Sequence, residues 1–299
     1  MPNTLPARTF GSVLTAMVTP FDEQGRLDVG AAQALAEHLV DSGCDGLVIS
    51  GTTGESPTTH QPEKDELLGA VVDAVGDRAT VVAGAGSNDT AHAVRIAKCA
   101  ERMGADGILV VTPYYNRPSQ EGVYRHLRTV VESTDLPAML YDIPGRTGVA
   151  IADVTLDRLA ELPQVRAVKD ATGQVGAGLA RMSRTGLEFY SGDDALNLAW
   201  LAQGGSGIVS VVGHVAAGPY SQLVAAVDSG DLVTARRIAA SLVPLVDAIM
   251  GGGQGAVLAK AAMELLRVIP SRAVRLPLVA ADSDQLAKLE RVLAAEGIL

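Results

Sequence analysis

The sequence predicts an α/β fold, a closed (β/α)8 TIM barrel followed by a C-terminal appendage of helices. Short runs rich in β-branched residues recur along the chain, and each is followed by an amphipathic segment rich in Ala, Leu and Val. Eight such runs occur within roughly 215 residues, which favours a closed parallel barrel over a doubly wound sheet. No GxGxxG sequence follows the first run, so a dinucleotide-binding fold is not indicated.

The predicted strands follow one another at regular intervals. They are residues 13–19, 46–50, 80–85, 108–112, 138–143, 165–169, 187–191 and 208–212. Amphipathic helices are predicted between them, for example at residues 32–40, where Leu35 and Leu39 share one face. After the eighth strand the pattern becomes helical, at residues 219–227, 231–250, 256–268 and 283–295. We therefore expect a catalytic barrel over residues 1–218 and a helical region over residues 219–299 that packs on it.

The composition excludes several classes of protein. The chain of 299 residues has 34 acidic and 24 basic side chains and a net charge of -10, without the basic clusters that nucleic acid requires. No signal-like start and no membrane-spanning run is evident, so a soluble cytoplasmic protein is expected. The two cysteines and five histidines lack metal-ligand spacing, so metal chemistry is not expected.

Lys169 is the most informative residue of the sequence. It lies in a predicted strand, where alternation places its side chain on the same face as Val165, Ala167 and Ala171, which are all small or apolar. The remaining lysines are predicted at surface positions of helices: Lys64, Lys98, Lys260 and Lys288.

An amine in such an apolar setting is a candidate nucleophile. Desolvation disfavours the charged form and can lower the pKa of a lysine by up to about 3 to 5 units. A neutral lysine amine attacks carbonyl groups and forms Schiff bases. The alternative is structural, because Lys169 could pair with a buried carboxylate such as Asp170 or Asp193, or extend to solvent from the strand end.

Further candidates follow the predicted strands, at the end of a barrel where active sites lie. They are the turn at residues 51–56, the tyrosines Tyr114 and Tyr115, Tyr141, and Arg146. Taken singly, the turn could be an ordinary helix entry, the tyrosines packing residues and Arg146 a solvated charge. Together with Lys169 they supply an amine, hydroxyls, peptide N–H donors and a guanidinium, which suits condensation of a 2-oxo acid with an aldehyde through an enamine.

Five motifs carry a resemblance to a known family. They are GTTGES at 51–56, VTPYYN at 111–116, YDIPGRTG at 141–148, VKDATG at 168–173 and SGDD at 191–194. In these the chain resembles the dihydrodipicolinate synthase and N-acetylneuraminate lyase family of Schiff-base class I aldolases. The match extends from Phe10 to the C-terminal helices. It is strongest toward the branch that joins pyruvate to L-aspartate 4-semialdehyde in lysine and diaminopimelate synthesis.

The resemblance implies a catalytic set that acts on small-molecule substrates and requires no metal or organic cofactor. Lys169 would form the imine with pyruvate, and Tyr141 would donate and accept protons for it. Thr53 and Tyr115 would complete a proton relay, with Tyr115 reaching in from the neighbouring subunit. This arrangement implies at least a dimer, and the family suggests a homotetramer built as a dimer of dimers.

The resemblance also implies a binding set. Thr52 and Thr53 would hold the pyruvate carboxylate, and the backbone of Val209 would face the same pocket. Arg146 would bind the carboxylate of the semialdehyde, and relatives that act on sialic acid or sugar acids generally lack an arginine there.

Two other functions remain open at this point. One is a pyruvate-dependent aldolase or lyase of the same family that acts on a sugar acid or a hydroxy-oxo acid. The other is a non-catalytic barrel that senses a ligand.

A possible allosteric region follows from the same resemblance. In feedback-inhibited members free lysine binds at a subunit interface, at positions that match Ser56, Pro57, Gln61, Lys64, Asn88, His92 and Tyr114. Lys64 and His92 place basic groups where the ammonium of that ligand would lie, which should repel it. We predict weak or absent inhibition by lysine, and strong inhibition by submillimolar L-lysine in a steady-state assay would contradict this.

Overall fold

A computed structural model describes residues 5–252 and 254–299. All eight predicted strands are present, and they form one closed parallel barrel in chain order, in which β1 pairs with both β2 and β8. The strands are β1 (Val13–Ala16), β2 (Gly46–Ile49), β3 (Thr80–Gly84), β4 (Gly107–Val111), β5 (Ala138–Asp142), β6 (Val165–Asp170), β7 (Glu188–Ser191) and β8 (Gly207–Ser210). The predicted TIM barrel is confirmed.

Helices surround the barrel and continue beyond it. Those between the strands are α1 (Val29–Asp41), α2 (Gln61–Val75), α3 (Thr90–Arg102), α4 (Gln120–Val131), α5 (Pro144–Thr147), α6 (Asp153–Ala160), α7 (Val175–Thr185) and α8 (Asn197–Ala202). Those after β8 are α9 (Gly213–Asp228), α10 (Leu232–Met250), α11 (Gly255–Leu265) and α12 (Ser283–Ala295). Single 3-10 turns lie at Ser56–Thr58 and Asp194–Leu196.

Local interactions explain where individual helices and strands form. Helix α1 begins after Asp28, whose carboxylate accepts a hydrogen bond of 3.0 Å from the Ala31 N–H. Its buried face includes Leu35 and Leu39, as the sequence predicts. The strands are apolar at successive positions because helices cover their outer face and the barrel interior covers the other.

The barrel interior is a packed core with a cavity at its carboxyl end. Phe10 closes the opposite end, and its ring meets that of Tyr190 edge to face with centroids 6.3 Å apart. The Tyr190 hydroxyl donates to the Gly11 carbonyl at 3.1 Å. The buried apolar residues of this interior are Phe10, Leu14, Ala16, Val48, Val82, Leu109, Met139, Tyr141, Ala167, Tyr190 and Val209.

One part of the predicted alternation in β6 is wrong. Ala138 pairs with Val165 whereas Met139 pairs with Ala167, so the two strands shift register at this point. Val165 therefore packs in the outer core, between strands and helices, whereas Ala167 points into the barrel. Lys169, two residues further on, shares the inward face with Ala167.

Two of the lysines predicted at the surface are buried instead. Lys98 and Lys288 are exposed, but only 8% of Lys64 and 0% of Lys260 is accessible to solvent. The Lys64 Nζ donates to the Ser56 hydroxyl at 3.0 Å, and the Lys260 Nζ pairs with the Glu55 carboxylate. Helical periodicity could not predict this burial, because the covering residues are distant in sequence.

The C-terminal helices continue directly from the barrel. Helix α9 bends at Ala216 and packs on both β1 and α10. The predicted division after residue 218 falls inside α9, and it stays a prediction. Among the described residues no single helix is long and apolar enough to cross a membrane, although α10 and α11, which meet at 106°, pass that test when taken as a bent pair.

The contact between α7 and Trp200 generates a prediction about stability. A methyl group at Gly178 would overlap the fully buried Trp200 ring, which stacks on Phe189 with centroids 5.8 Å apart. We expect Gly178→Ala to lower the free energy of unfolding by about 1–3 kcal/mol, because overpacking outweighs the gain in helix propensity. Thermal and urea unfolding measure this change.

The same helix offers a matched control. A methyl group at Gly176 would meet no atom within 4 Å. Gly176→Ala should leave stability unchanged or raise it. Equal stability of the two variants would contradict the proposed overlap.

Candidate active site

A cavity of about 510 Å³ opens at the carboxyl ends of the strands. The loops after β2, β4 and β5 contribute to its wall, as the sequence predicts for a barrel active site. Thr52, Tyr114, Tyr115, Tyr141 and Arg146 all line it. The fold thus brings together side chains that are up to 94 positions apart, from Thr52 to Arg146.

Lys169 lies inside the barrel beside this cavity. Only 5% of the residue is exposed, and its Nζ lies 4.3 Å from the centroid of the Tyr141 ring, which lines the cavity. The strand register places Tyr141 and Tyr190 on either side of it. A methyl group at Gly192 would lie 3.1 Å from the Lys169 Cε, so the glycine of the SGDD motif leaves room for the lysine side chain.

The surroundings keep this amine partly neutral. Burial lowers the pKa of Lys169 from 10.5 to about 8, and the positive charge of Arg146 acts in the same direction. The carboxylate of Asp194 opposes both effects. Throughout residues 5–252 and 254–299, Lys169 forms no ion pair with an acidic side chain.

The two carboxylates considered as partners of Lys169 have other contacts. Asp170 accepts hydrogen bonds from the Thr172 N–H and hydroxyl at 2.9 and 2.7 Å. Asp193 caps a 3-10 turn by accepting from the Ala195 N–H at 3.1 Å. The structural alternative for Lys169 is therefore not realised with either of them.

Asp194 is a residue of the site that sequence reasoning missed. Its carboxylate is buried and accepts hydrogen bonds from five groups: the Ser210 hydroxyl, the Tyr220 hydroxyl, the Asn197 amide and the N–H groups of Val211 and Val212. These donors stabilise a fixed negative charge near Lys169. The SGDD motif contained the signal, but spacing alone does not show which of its two aspartates turns inward.

The Tyr141 phenol keeps its proton beside the Lys169 amine. Burial raises the pKa of its phenol to about 12, while the charge of Arg146 and the hydroxyl of Thr52 offset part of that rise. The phenol is therefore protonated near pH 7. With its ring over the Lys169 amine, it stands where an imine would form.

The proposed relay is not connected within one subunit. Thr53 is buried in the turn after β2, whereas 89% of Tyr115 is exposed and its φ of 76° is left-handed. No hydrogen bond links the hydroxyls of Thr53, Tyr115 and Tyr141 in the part of the chain that the structure describes. Tyr115 and Tyr141 thus line the cavity, and Thr53 follows the cavity residue Thr52 in the turn, without a hydrogen bond that joins the three hydroxyls in the described residues.

The Arg146 guanidinium lies beside the cavity and has no acidic partner among the described residues. Arg146 lies in α5, a short helix that the sequence predicted only as a loop, and is exposed. The one hydrogen bond of its guanidinium among the described residues is to the Gln254 side chain at 3.3 Å. Val209 lies on β8, where its side chain faces the barrel interior. Among the described residues, no group of three or more His, Cys, Asp or Glu side chains is arranged to hold a metal ion.

A second cavity of about 210 Å³ adjoins the first. It gathers most of the residues predicted for an allosteric region: Ser56, Pro57, Gln61, Lys64, His92 and Tyr114. Asn88 does not line it. Burial lowers the pKa of Lys64, and His60 adds a further basic side chain to the wall.

Comparison with known proteins identifies the family. A model of the Dihydrodipicolinate synthetase family matches residues 9–296. The chain belongs to this family. It is 57% identical over 293 residues to a 4-hydroxy-tetrahydrodipicolinate synthase of Kineococcus radiotolerans, covering 98% of this chain and 95% of the relative.

Solved structures of the family agree with this fold. DHDPS from Cyanidioschyzon merolae with lysine bound superposes with a TM-score of 0.93 at 40% identity, covering 98% of this chain and all of that one. The chloride-inhibited dihydrodipicolinate synthase from Acinetobacter baumannii complexed with pyruvate gives a TM-score of 0.93 at 32% identity, with the same coverage.

The environment of Lys169 predicts how its reactivity depends on pH. Because its folded pKa is about 8, the neutral fraction should rise through pH 8 and then level off. We expect acetylation of Lys169 by trace acetic anhydride, followed by peptide mass spectrometry, to reach half its maximum near pH 8. The exposed Lys98 serves as internal reference for reagent decay. Labelling that still rises steeply above pH 10 would contradict the lowered pKa.

Proposed function

We propose that this protein condenses pyruvate with L-aspartate 4-semialdehyde to give 4-hydroxy-tetrahydrodipicolinate, for lysine and diaminopimelate synthesis. The observation that carries the proposal is the buried Lys169 amine, free of an acidic partner and 4.3 Å from the Tyr141 ring centroid. The 57% identical relative named as this synthase and the pyruvate complex of a structural neighbour support the same activity.

The first half of the reaction fixes pyruvate on the protein. The neutral Lys169 amine attacks the carbonyl carbon, and Tyr141 supplies a proton so that the hydroxyl leaves as water and an imine remains. Loss of a proton from the methyl group then gives the enamine. The hydroxyl and peptide groups of Thr52 and Thr53 would hold the pyruvate carboxylate, and the support for this is that both residues lie in the turn after β2 and that Thr52 lines the cavity.

The second half adds the aldehyde and releases the product. The enamine carbon attacks the aldehyde carbon of the semialdehyde and forms the new carbon–carbon bond. The amino group of the semialdehyde then attacks the imine carbon, which closes the ring and frees Lys169. Arg146 would bind the semialdehyde carboxylate, and the support for this is that the residue lines the cavity and its guanidinium has no acidic partner among the described residues.

We also propose that the working unit is an oligomer, a homotetramer built as a dimer of dimers. Tyr115 lies at the cavity rim with its ring in solvent, and the relay hydroxyls are unconnected within one chain. A tyrosine from a neighbouring subunit would supply the missing hydroxyl. Weak or absent inhibition by lysine stays a prediction, and the basic wall of the second cavity supports it.

Loss of the amine tests the proposed activity directly. In a coupled assay with both substrates, Lys169→Ala should lower kcat by at least roughly a thousandfold, because no imine can form. Borohydride reduction with pyruvate should add a mass adduct to Lys169 of the wild-type protein and none to the variant. A wild-type protein as inactive as the variant, or one without an adduct, would contradict the proposal.

Arg146 tests the identity of the second substrate. We expect Arg146→Ala to lower kcat/KM for the semialdehyde by roughly 10- to 100-fold, because a charge-assisted hydrogen bond to its carboxylate is lost. The KM for pyruvate and the yield of borohydride trapping serve as internal controls and should change much less, because Arg146 has the smallest of the three effects on the pKa of Lys169. An equal loss for both substrates would contradict a specific role for Arg146.

A further inference from the structure

We propose that the buried Glu55–Lys260 ion pair positions the turn that carries Thr52 and Thr53, so that the C-terminal helices hold the barrel's proton relay in place. The inference rests on the proposed function, which assigns those threonines to the relay and to pyruvate binding. Both partners of the pair lie outside the cavity lining, so their role would be positioning and not contact with substrate.

Backbone hydrogen bonds close the turn at residues 51–56, and Glu55 near its end has an unfavourable backbone conformation. The Ser56 N–H donates to the Gly51 carbonyl at 3.2 Å, and the Glu55 N–H donates to the Thr52 carbonyl at 3.1 Å. Glu55 has a φ of 54°, in the left-handed region that non-glycine residues rarely occupy. Such a conformation persists only where the surroundings hold it.

The surroundings that hold Glu55 come from the far end of the chain. Its carboxylate binds the Lys260 Nζ of α11 through Oε1 and accepts from the Arg275 N–H at 2.9 Å through Oε2. Glu55 is 2% and Lys260 is 0% exposed. Lys260 and Arg275 each lie more than 200 residues after Glu55 in the sequence. Each oxygen of the Glu55 carboxylate therefore joins the turn to the C-terminal region.

Lys260 is itself held in a single place. Its Nζ also donates to the Ala273 carbonyl at 2.7 Å and lies 4.1 Å from the centroid of the Phe21 ring. Arg275 covers the same ring, with its Cζ 4.2 Å from the centroid. Lys260 thus has a carboxylate, a carbonyl and an aromatic face around it, which fixes the direction from which it binds Glu55.

An ion pair is a costly way to gain stability in a protein interior. Desolvation of two charges offsets most of their attraction, and apolar side chains of similar volume often serve as well. A charged pair with defined geometry is better suited to fixing orientation. Here the orientation that it fixes is that of a turn whose hydroxyls must meet Tyr141.

The test compares Lys260→Met with Arg272→Met in the full-length protein. Arg272 pairs with Glu264 inside the same C-terminal region and does not contact the turn, so its variant is the matched control. We expect Lys260→Met to lower kcat about 10- to 100-fold and to raise the KM for pyruvate, because the displaced turn carries both the relay hydroxyl and the groups that bind pyruvate. Arg272→Met should keep the wild-type kcat.

A second variant separates positioning from stability. Because Lys260→Met leaves the buried Glu55 carboxylate without its partner, the single variant could fold poorly. The double variant with Glu55→Gln carries neither charge and should recover the melting temperature but not kcat. A double variant with both wild-type melting temperature and wild-type kcat would overturn the inference.

A readout independent of activity completes the test. Hydrogen–deuterium exchange of the backbone at residues 51–58 should accelerate in the Lys260→Met and double variants and not in Arg272→Met. Unchanged exchange in both would overturn the inference whatever the kinetics. A wild-type protein that does not turn over the two substrates would refute the proposed function, and exchange alone would then decide whether the pair positions the turn.

Discussion

The chemistry depends on one constraint, the burial of the Lys169 amine without an acidic partner. Closure of the barrel removes water from its interior, and desolvation brings the pKa of this lysine down to about 8. At pH 7 about a tenth of the amine is then neutral, far more than for a lysine in water. The carboxylate of Asp194 raises the pKa of Lys169 and so limits this lowering. Its oxygens accept hydrogen bonds from five donors, and it forms no direct ion pair with the Lys169 ammonium among the described residues.

Lys260 shows that burial by itself does not make a nucleophile. Burial lowers the pKa of both lysines to about 8, but Lys260 has the Glu55 carboxylate and the Ala273 carbonyl as partners. Those two groups accept hydrogen bonds from the Lys260 ammonium, and Lys260 does not line the cavity of the site. Lys169 instead has an aromatic ring at 4.3 Å and an open cavity beyond it. The difference between a structural and a reactive lysine therefore lies in the groups that surround each buried amine.

Sequence patterns predicted the features that depend on adjacent residues and missed the features that depend on contacts between distant parts of the chain. Strand periodicity gave all eight barrel strands and the inward face of Lys169, because alternation and burial are properties of a few adjacent residues. It misplaced Val165, since a register shift between two strands cannot be read from either one alone. It placed Lys64 and Lys260 at the surface, because their covering residues come from other loops and helices. It assigned no role to Asp194, whose donors lie on α8, on β8 and in the segments that follow β8.

Arg146 links substrate binding to the acid–base chemistry of the site. Its positive charge lowers the pKa of both Lys169 and Tyr141 when the cavity holds no anion. In the proposed reaction that effect favours the neutral amine at the stage when Lys169 must attack pyruvate. Binding of the semialdehyde carboxylate would then neutralise the guanidinium and remove its effect on Tyr141. The pKa of the phenol would then rise, so Tyr141 would hold its proton more firmly and would be a weaker acid toward the new alkoxide. The exposed guanidinium therefore assists most at the attack on pyruvate, before the second substrate binds.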